Sequence, residues 1–185
     1  MEYLNKIVYN SPVILSFFFI SLIALILNYL TKKKSNKILF SSYRSSLFNP
    51  LTYIRLFTHV LGHDNFEHFV NNFLYILLIG PLIEEKYGPE NLIIMILLTS
   101  LITGIINCIL SKKIILGSSG LVFMLIILSS FVNIKEGQIP LTLVLICIFY
   151  LLNEVSDSIF KKDNISHMSH LIGAICGIIY GLYIF

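Results

Sequence analysis

Gly117-Ser118-Ser119-Gly120 opens an apolar run that extends from Leu121 to Val132. Two further apolar runs also begin with polar residues. One starts with Ser166-His167-Met168-Ser169-His170, and the other contains His68 and Asn72 close to its beginning. If the chain crosses a bilayer six times, the second, fourth and sixth crossings all start on the same side of the membrane. The sequence therefore predicts that these three polar openings meet near one membrane face.

Composition favours an all-α membrane protein with six transmembrane helices. The chain has 185 residues, of which 56% are hydrophobic and 12% are charged, whereas soluble domains carry about 25% charged residues. The charges form short clusters separated by uncharged intervals, and a bilayer about 30 Å thick needs about 20 apolar residues per span. We expect a single domain over residues 1–185, with spans at Val13–Leu30, Phe66–Ile83, Asn91–Ser111, Ser119–Val132, Ile139–Asn153 and Ile165–Phe185.

The ends of the spans carry further information. The first span is too long for a cleaved signal peptide and lacks a small-residue cleavage site after it, so we expect it to remain in the protein. Lys32 to Asn65 form a connection rich in Tyr, Phe and Arg that suits the membrane interface. Glu84 to Glu90 are predicted to end the second span as a tight polar turn. The fourth span is too short to cross the hydrocarbon, so one end must lie below the surface.

Several functional classes are excluded or disfavoured. The net charge is only +3 and the lysines form no stripe with aromatic residues, which argues against nucleic-acid binding. The three cysteines all fall inside apolar runs, so no disulfide framework is indicated. His59, His63 and His68 do not complete a recognised zinc motif, and we predict no metal and no cofactor. His59 and His63 are instead expected to tie the first connection to the second helix, and His167 to lie at the rim.

A serine and a histidine could form a catalytic pair. Ser119 lies six residues after Lys113 and His170 seven after Asp163, so helical rise would place both roughly 9 to 11 Å below the charged interface. Both groups need polar partners in hydrocarbon. A histidine that accepts the serine proton makes the serine a usable nucleophile.

Small residues could bring the fourth and sixth helices together. Gly173, Gly177 and Gly181 share one face of the sixth helix, and this spacing lets transmembrane backbones approach closely. Phe123 lies one turn after Ser119, where it could pack on the imidazole of His170.

Donors for an oxyanion hole come from the second helix. His68 and Asn72 are spaced i,i+4 and share a helical face. Together with the backbone N–H of Ser119 at a helix N-terminus, they supply three donors. No carboxylate is placed to orient His170, so the predicted site is a Ser-His dyad.

Each of these signals has a structural alternative. Gly-x-Ser-Gly at a helix start is more often packing than chemistry. His170 could be a packing or pore histidine, and Asn72 could bond a neighbouring helix. Their predicted position at one face and one depth is harder to attribute to packing.

The sequence resembles the rhomboid family of intramembrane serine proteases over nearly its whole length. The resemblance is carried by motifs in the family's order and approximate spacing: Phe57-Thr58-His59 with His63, His68-x-x-x-Asn72, Glu84-Glu85-Lys86-Tyr87-Gly88, Gly117-x-Ser119-Gly120, and His170-x-x-Gly173-x-x-x-Gly177. It implies a six-helix bundle with a water-filled cavity above a short fourth helix.

Functional roles follow from the resemblance. Ser119 would be the nucleophile and His170 the general base, with His68, Asn72 and the backbone N–H groups of Ser118 and Ser119 in the oxyanion hole. The implied partners are single-span membrane proteins, cleaved near the top of their spans within the lipid bilayer. The sequence departs from the family pattern at three positions: Ile54, Phe123 and Glu67.

Two rival functions remain open: an inactive rhomboid relative that binds membrane clients, and a small channel or transporter. Location follows the family, as a multi-pass protein of a prokaryotic plasma membrane. The positive-inside rule would place the active site toward the cytoplasm, but we expect the external orientation of plasma-membrane rhomboids. The basic residues are Lys6, Lys86 and Lys135 on one side, and Lys32, Lys33, Lys34, Lys37, Arg44, Arg55, Lys112, Lys113, Lys161 and Lys162 on the other.

Overall fold

The computed structural model describes residues 8–111, 113–132, 134, 138–149 and 165–183, with the helical backbone alone at residues 165–167. These residues form helices and connections, and their one extended pairing is an isolated antiparallel bridge between Ser42 and Ile115. The helices are α1 (Pro12–Leu30), α2 (Lys34–Ile38), α3 (Pro50–Thr58), α4 (Phe66–Tyr87), α5 (Pro89–Leu110), α6 (Ser119–Ser129), α7 (residues 141–149) and α8 (Ile165–Tyr183). A 3₁₀ turn, His59–Leu61, follows α3.

Three helices, α1, α4 and α5, are long and apolar enough to cross a membrane. The helix α6 and the segment Met168–Tyr183 of α8 are shorter apolar helices. Part of the predicted fifth span, Ile139–Asn153, lies outside the described residues, as does the whole of the predicted loop Glu154–Asn164. The described chain therefore supports a helical membrane protein, and three of its helices match the first three predicted spans in length and composition.

The helix α6 lies at the centre of the helices. Its buried residues Leu121, Met124 and Leu128 belong to a core shared with residues of α1, α4, α5 and α8. It packs most extensively on α8. The 11 residues of α6 span only about 16 Å at 1.5 Å per residue, so the helix is shorter than a membrane-crossing one, and it ends three residues before the predicted Val132.

The segment that leads into α6 is not helical, which corrects the assumption of helical rise from Lys113 to Ser119. Residues 113–118 run as an irregular segment. Ile115 exchanges backbone hydrogen bonds of 2.9 and 3.0 Å with Ser42, and the side-chain amide of Asn107 donates to the carbonyls of Ser42 and Lys113. These bonds to the first connection replace the bonds that a helix would make within itself.

The first connection is itself ordered by short helices. Asn49 caps α3 by accepting a hydrogen bond from the N–H of Leu51, and Pro50 occupies the first turn, where its missing N–H costs nothing. Arg55 is buried and donates to the hydroxyls of Tyr43 and Ser45. Its guanidinium also lies 4.3 Å from the centre of the Tyr43 ring. Arg55, which follows Ile54, therefore fixes α3 to the preceding segment through Tyr43 and Ser45.

The helix α4 continues past the predicted end of the second span, through Glu84 to Tyr87, and Gly88 is its C-cap. The prediction that Glu84 begins a tight polar turn is wrong because this carboxylate is buried and paired. Its two oxygens each accept a 3.0 Å hydrogen bond, from the N–H groups of Val13 and Ile14. These donors belong to the first turn of α1, whose partial positive charge favours an anion.

We predict that Glu84→Gln lowers the thermal stability of the detergent-solubilised protein, because the neutral amide loses one acceptor and the charge that pairs with the N-terminus of α1. Hydrogen bonds to a charged group contribute roughly 1.5 to 3 kcal/mol. The matched control is Glu85→Gln, at an exposed neighbour. Equal melting midpoints for the two variants would contradict the capping role.

Candidate active site

A polar cavity of about 360 Å³ lies where the irregular segment enters α6. Its walls come from α4, α5, α6, the 3₁₀ turn, Asp64, residues 114–117 and one residue of α8. Ser119 and His68 line it, together with Ser169, the neighbour of His170. The cavity therefore gathers residues from all three of the polar openings identified in the sequence.

The turn at Gly117 lies next to His68 and Asn72 of α4. Gly117 has a φ of +112°, which favours glycine, and its N–H donates 2.9 Å to the carbonyl of His59. A Cβ added to Gly117 would lie 2.8 Å from the Nε2 of His68 and 3.8 Å from the Nδ2 of Asn72. Only a residue without a side chain fits between this backbone and the two polar side chains.

Ser118 and Ser119 stand at the N-terminus of α6 but have different surroundings. Ser119 is the first residue of the helix and is half-buried at the cavity wall. Ser118 is fully buried, makes no capping hydrogen bond with its side chain, and places its Oγ 3.3 Å from the Nε2 of His63. The first N–H groups of any helix lack intrahelical acceptors, so those near Ser119 are available to another acceptor.

His170 lies on α8, where its ring stacks on Phe123 with centroids 4.3 Å apart and an angle of 20° between the planes. Glycines allow the two helices to approach. A Cβ on Gly173 would overlap the carbonyl oxygen of Gly120, and a Cβ on Gly177 would lie 2.8 Å from the carbonyl oxygen of Met124. The backbone of α6, which begins with Ser119, is thus in direct contact with the backbone of α8, which bears His170.

Asn72 is buried one turn beyond His68 on α4. Its Nδ2 donates 3.1 Å to the carbonyl of His68, a contact within the helix. The amide nitrogen carries a second hydrogen that can be donated elsewhere. Asn72 lies close to Gly117, beside the candidate oxyanion hole. Glu67, the residue before His68, is exposed to solvent.

Sequence reasoning did not identify the polar wall that α5 contributes. Thr99, Ser100 and Thr103 all line the cavity. The hydroxyl of Ser100 donates to the carbonyl of Ile96, one turn earlier, and Thr103 has a buried hydroxyl without a protein partner among the described residues. Serine and threonine are common in transmembrane helices because they bond their own backbone, so the sequence carries no signal that sets these three apart.

The two histidines of the first connection differ from the prediction in part. His63 contacts α4, since its ring lies 5.1 Å from the ring of His68 and 5.4 Å from that of Phe69. His59 instead holds the Gly117 turn through its backbone carbonyl, while its Nδ1 lies 3.2 Å from the carbonyl of Arg55. The side chain of His167 is outside the described residues. Among those that are described, no three His, Cys, Asp or Glu side chains are grouped to hold a metal.

Residues 50–185 match the family profile of the rhomboid domain, which covers well over half of the chain. The chain belongs to the rhomboid family. A search of curated proteins found no match to it. Rhomboids are generally intramembrane proteases, although inactive members exist.

Burial also changes the acid-base behaviour of two histidines in this rhomboid. Desolvation lowers the pKa of His59 from 6.5 to about 4. It likewise lowers the pKa of His63 to about 4, with a smaller contribution from the nearby His68. Both imidazoles are therefore neutral at physiological pH, and protonation favours the unfolded chain.

We predict that this rhomboid loses thermal stability as the pH falls from about 6.5 toward 4. The folded pKa values lie below the unfolded value, so the stabilisation is complete above about pH 6.5 and is lost through that window, by up to about tenfold in the folding equilibrium per pH unit for each histidine. The measurement is the melting midpoint in detergent at pH 7.5 and pH 5. The difference between the two midpoints should be smaller in a His59→Asn, His63→Gln double variant. An unchanged difference would contradict the assignment of the pH dependence to these two histidines.

Proposed function

We propose that this rhomboid is an intramembrane serine endopeptidase that cleaves single-span membrane proteins within or near the top of their transmembrane segment. Ser119 is the nucleophile and His170 is the general base. The observation that carries the proposal is that Ser119 lies at the wall of a polar cavity, on a helix in backbone contact with the one that bears His170. The stacking of His170 on Phe123, one turn along from Ser119, supports the pairing.

The proposed chemistry follows the order of acyl transfer. The Oγ of Ser119 attacks the substrate carbonyl while His170 accepts the serine proton, and the same histidine then gives that proton to the leaving amine. A water molecule hydrolyses the acyl-enzyme and regenerates Ser119. The cavity of about 360 Å³ with its hydroxyl-bearing α5 wall can admit that water.

The developing oxyanion needs donors aimed at one point. The proposed set is His68, Asn72 and the backbone N–H groups of Ser118 and Ser119, with the N-terminus of α6 adding its partial positive charge. The position of both side chains beside Gly117, where an added Cβ would lie 2.8 Å from the Nε2 of His68 and 3.8 Å from the Nδ2 of Asn72, supports their inclusion. No carboxylate is assigned to His170. The ring of Phe123 stacks on the imidazole.

The substrate class follows from where the cavity lies. The helices around it expose large apolar side chains, including Leu74 and Leu78 on α4, which suits contact with lipid. A substrate reaching Ser119 would therefore approach within the bilayer, as membrane-protein substrates of this family do. We place the protein in a prokaryotic plasma membrane as a multi-pass protein.

We also propose that residues 1–185 form one domain. The family profile starts at residue 50, but α1 lies before it and contributes Ile14, Phe17 and Leu25 to the core that contains α6. Helix α1 is further bonded to Glu84 of α4. Residues 50–185 on their own would lack these contacts with α1.

We predict that a serine-reactive fluorophosphonate labels the purified protein, and that Ser119→Ala and His170→Ala each abolish labelling and cleavage. One variant removes the nucleophile and the other removes its base, so their losses should not add. Cleavage is measured by co-expression with a panel of single-span membrane proteins. Ser129→Ala, at the other end of α6, serves as the control. Unlabelled parent protein that binds such clients without cutting them would favour the inactive relative.

We predict that Asn72→Ala lowers turnover per folded molecule by about a hundredfold or more, because the loss of one oxyanion donor costs roughly 2.7 to 4 kcal/mol. Substrate binding should change little. Asn71→Ala, at the exposed neighbouring position, is the matched control. A packing role would instead lower stability by about 0.6 kcal/mol, and a decrease in turnover of less than about threefold would return Asn72 to packing.

A further inference from the structure

Ser118 forms a second serine-histidine contact in addition to the proposed dyad. Its Oγ lies 3.3 Å from the Nε2 of His63, a residue 55 positions earlier in the chain. Both residues are fully buried, and neither is among those that line the cavity. A substrate in the cavity therefore cannot reach the Ser118 hydroxyl, and this pair does not serve as a second nucleophile and base.

The direction of the hydrogen bond follows from the surroundings of His63. Its Nδ1 lies 3.2 Å from the carbonyl oxygen of Leu61, which can only accept, so Nδ1 carries the proton. In a neutral imidazole the other nitrogen is then an acceptor. Ser118 consequently donates its hydroxyl hydrogen to the Nε2 of His63.

His63 is itself held by two elements before it in the chain. The side-chain amides of Asn28, on α1, and Asn36, on α2, donate to its backbone carbonyl over 3.2 and 2.9 Å. Both asparagines are buried. The imidazole packs between the rings of His68 and Phe73 on α4, with centroid distances of 5.1 and 5.7 Å. The histidine is thus fixed on both its backbone and its ring.

We propose that His63 is a positioning residue that holds the Ser118 side chain and thereby sets the orientation of the backbone between Gly117 and Ser119. The proposal rests on the function proposed above, in which N–H groups of this backbone stabilise the oxyanion. A serine side chain has one rotatable bond before its oxygen, so fixing Oγ restrains the peptide to which it is attached. Helix α1 and the first connection then bear on catalysis through His63, which does not line the cavity.

A pair of amide substitutions separates the two hydrogen bonds of His63. In His63→Asn the side-chain amide reaches the position of Nδ1 and keeps the bond to Leu61, but nothing accepts from Ser118. In His63→Gln the amide reaches the position of Nε2 and can still accept from Ser118. Ser118→Ala and Ser118→Thr form a second pair, the first without the hydroxyl and the second with it.

The probe is a fluorophosphonate, whose reaction at Ser119 also places an oxygen in the oxyanion hole. We expect the maximal labelling rate constant to fall about tenfold in His63→Asn and Ser118→Ala, because small displacements of a positioned group have large effects on rate. The half-saturating probe concentration should stay within about twofold. His63→Gln and Ser118→Thr should recover most of the rate, and combining His63→Asn with Ser118→Ala should cost no more than either alone.

The outcomes separate this proposal from the proposed function. Labelling that persists in Ser119→Ala, or a parent protein that is not labelled, overturns the dyad and this proposal together. Labelling confined to Ser119, with parental rates in Ser118→Ala and His63→Asn, overturns only the positioning role. Equal rates in His63→Asn and His63→Gln also contradict it. Melting midpoints show which variants fold, and the Ser118 pair decides the question if His63 variants do not.

Discussion

The contact between the backbones of α6 and α8 is the constraint on which the rest of the site depends. It exists because neither Gly120 nor Gly173 carries a side chain, and a Cβ on Gly173 would overlap the Gly120 carbonyl. Closely packed small residues let dispersion and weak polar contacts hold helices together where lipid removes the usual hydrophobic driving force. The same contact brings the ring of His170 against Phe123 and fixes the helix that begins with Ser119.

The first connection holds the segment that leads into α6, residues 113–118, by hydrogen bonds. The carbonyl of His59 accepts from Gly117, Ile115 pairs with Ser42, and His63 accepts from Ser118. These bonds satisfy backbone and hydroxyl groups that would be costly to bury unpaired. They also keep residues 113–118 out of a helix, so that α6 begins only at Ser119, and the polar cavity lies where this segment enters the helix.

At the opposite end of the bundle, a buried charge is likewise paired with backbone donors. Glu84 is buried, yet both of its oxygens accept from the first turn of α1. The helix terminus supplies donors and a partial positive charge, which offsets the cost of removing the carboxylate from water. Helix α1 is thus joined to α4 at one end by Glu84, and to the first connection at the other end through the bond from Asn28 to His63.

The sequence alone determined the features that depend on local spacing and composition. Apolar runs with at most one charge located α1, α4 and α5, and helical periodicity placed Phe123 one turn from Ser119 and Gly173 one turn from Gly177. Tertiary structure decided the irregular path of residues 113–118, the burial of Glu84, the cavity wall from Thr99 and Thr103, and the contact between Ser118 and His63. These features depend on partners up to 73 positions apart, as in the pairing of Ser42 with Ile115, and no local pattern of residues encodes which buried polar group will meet which.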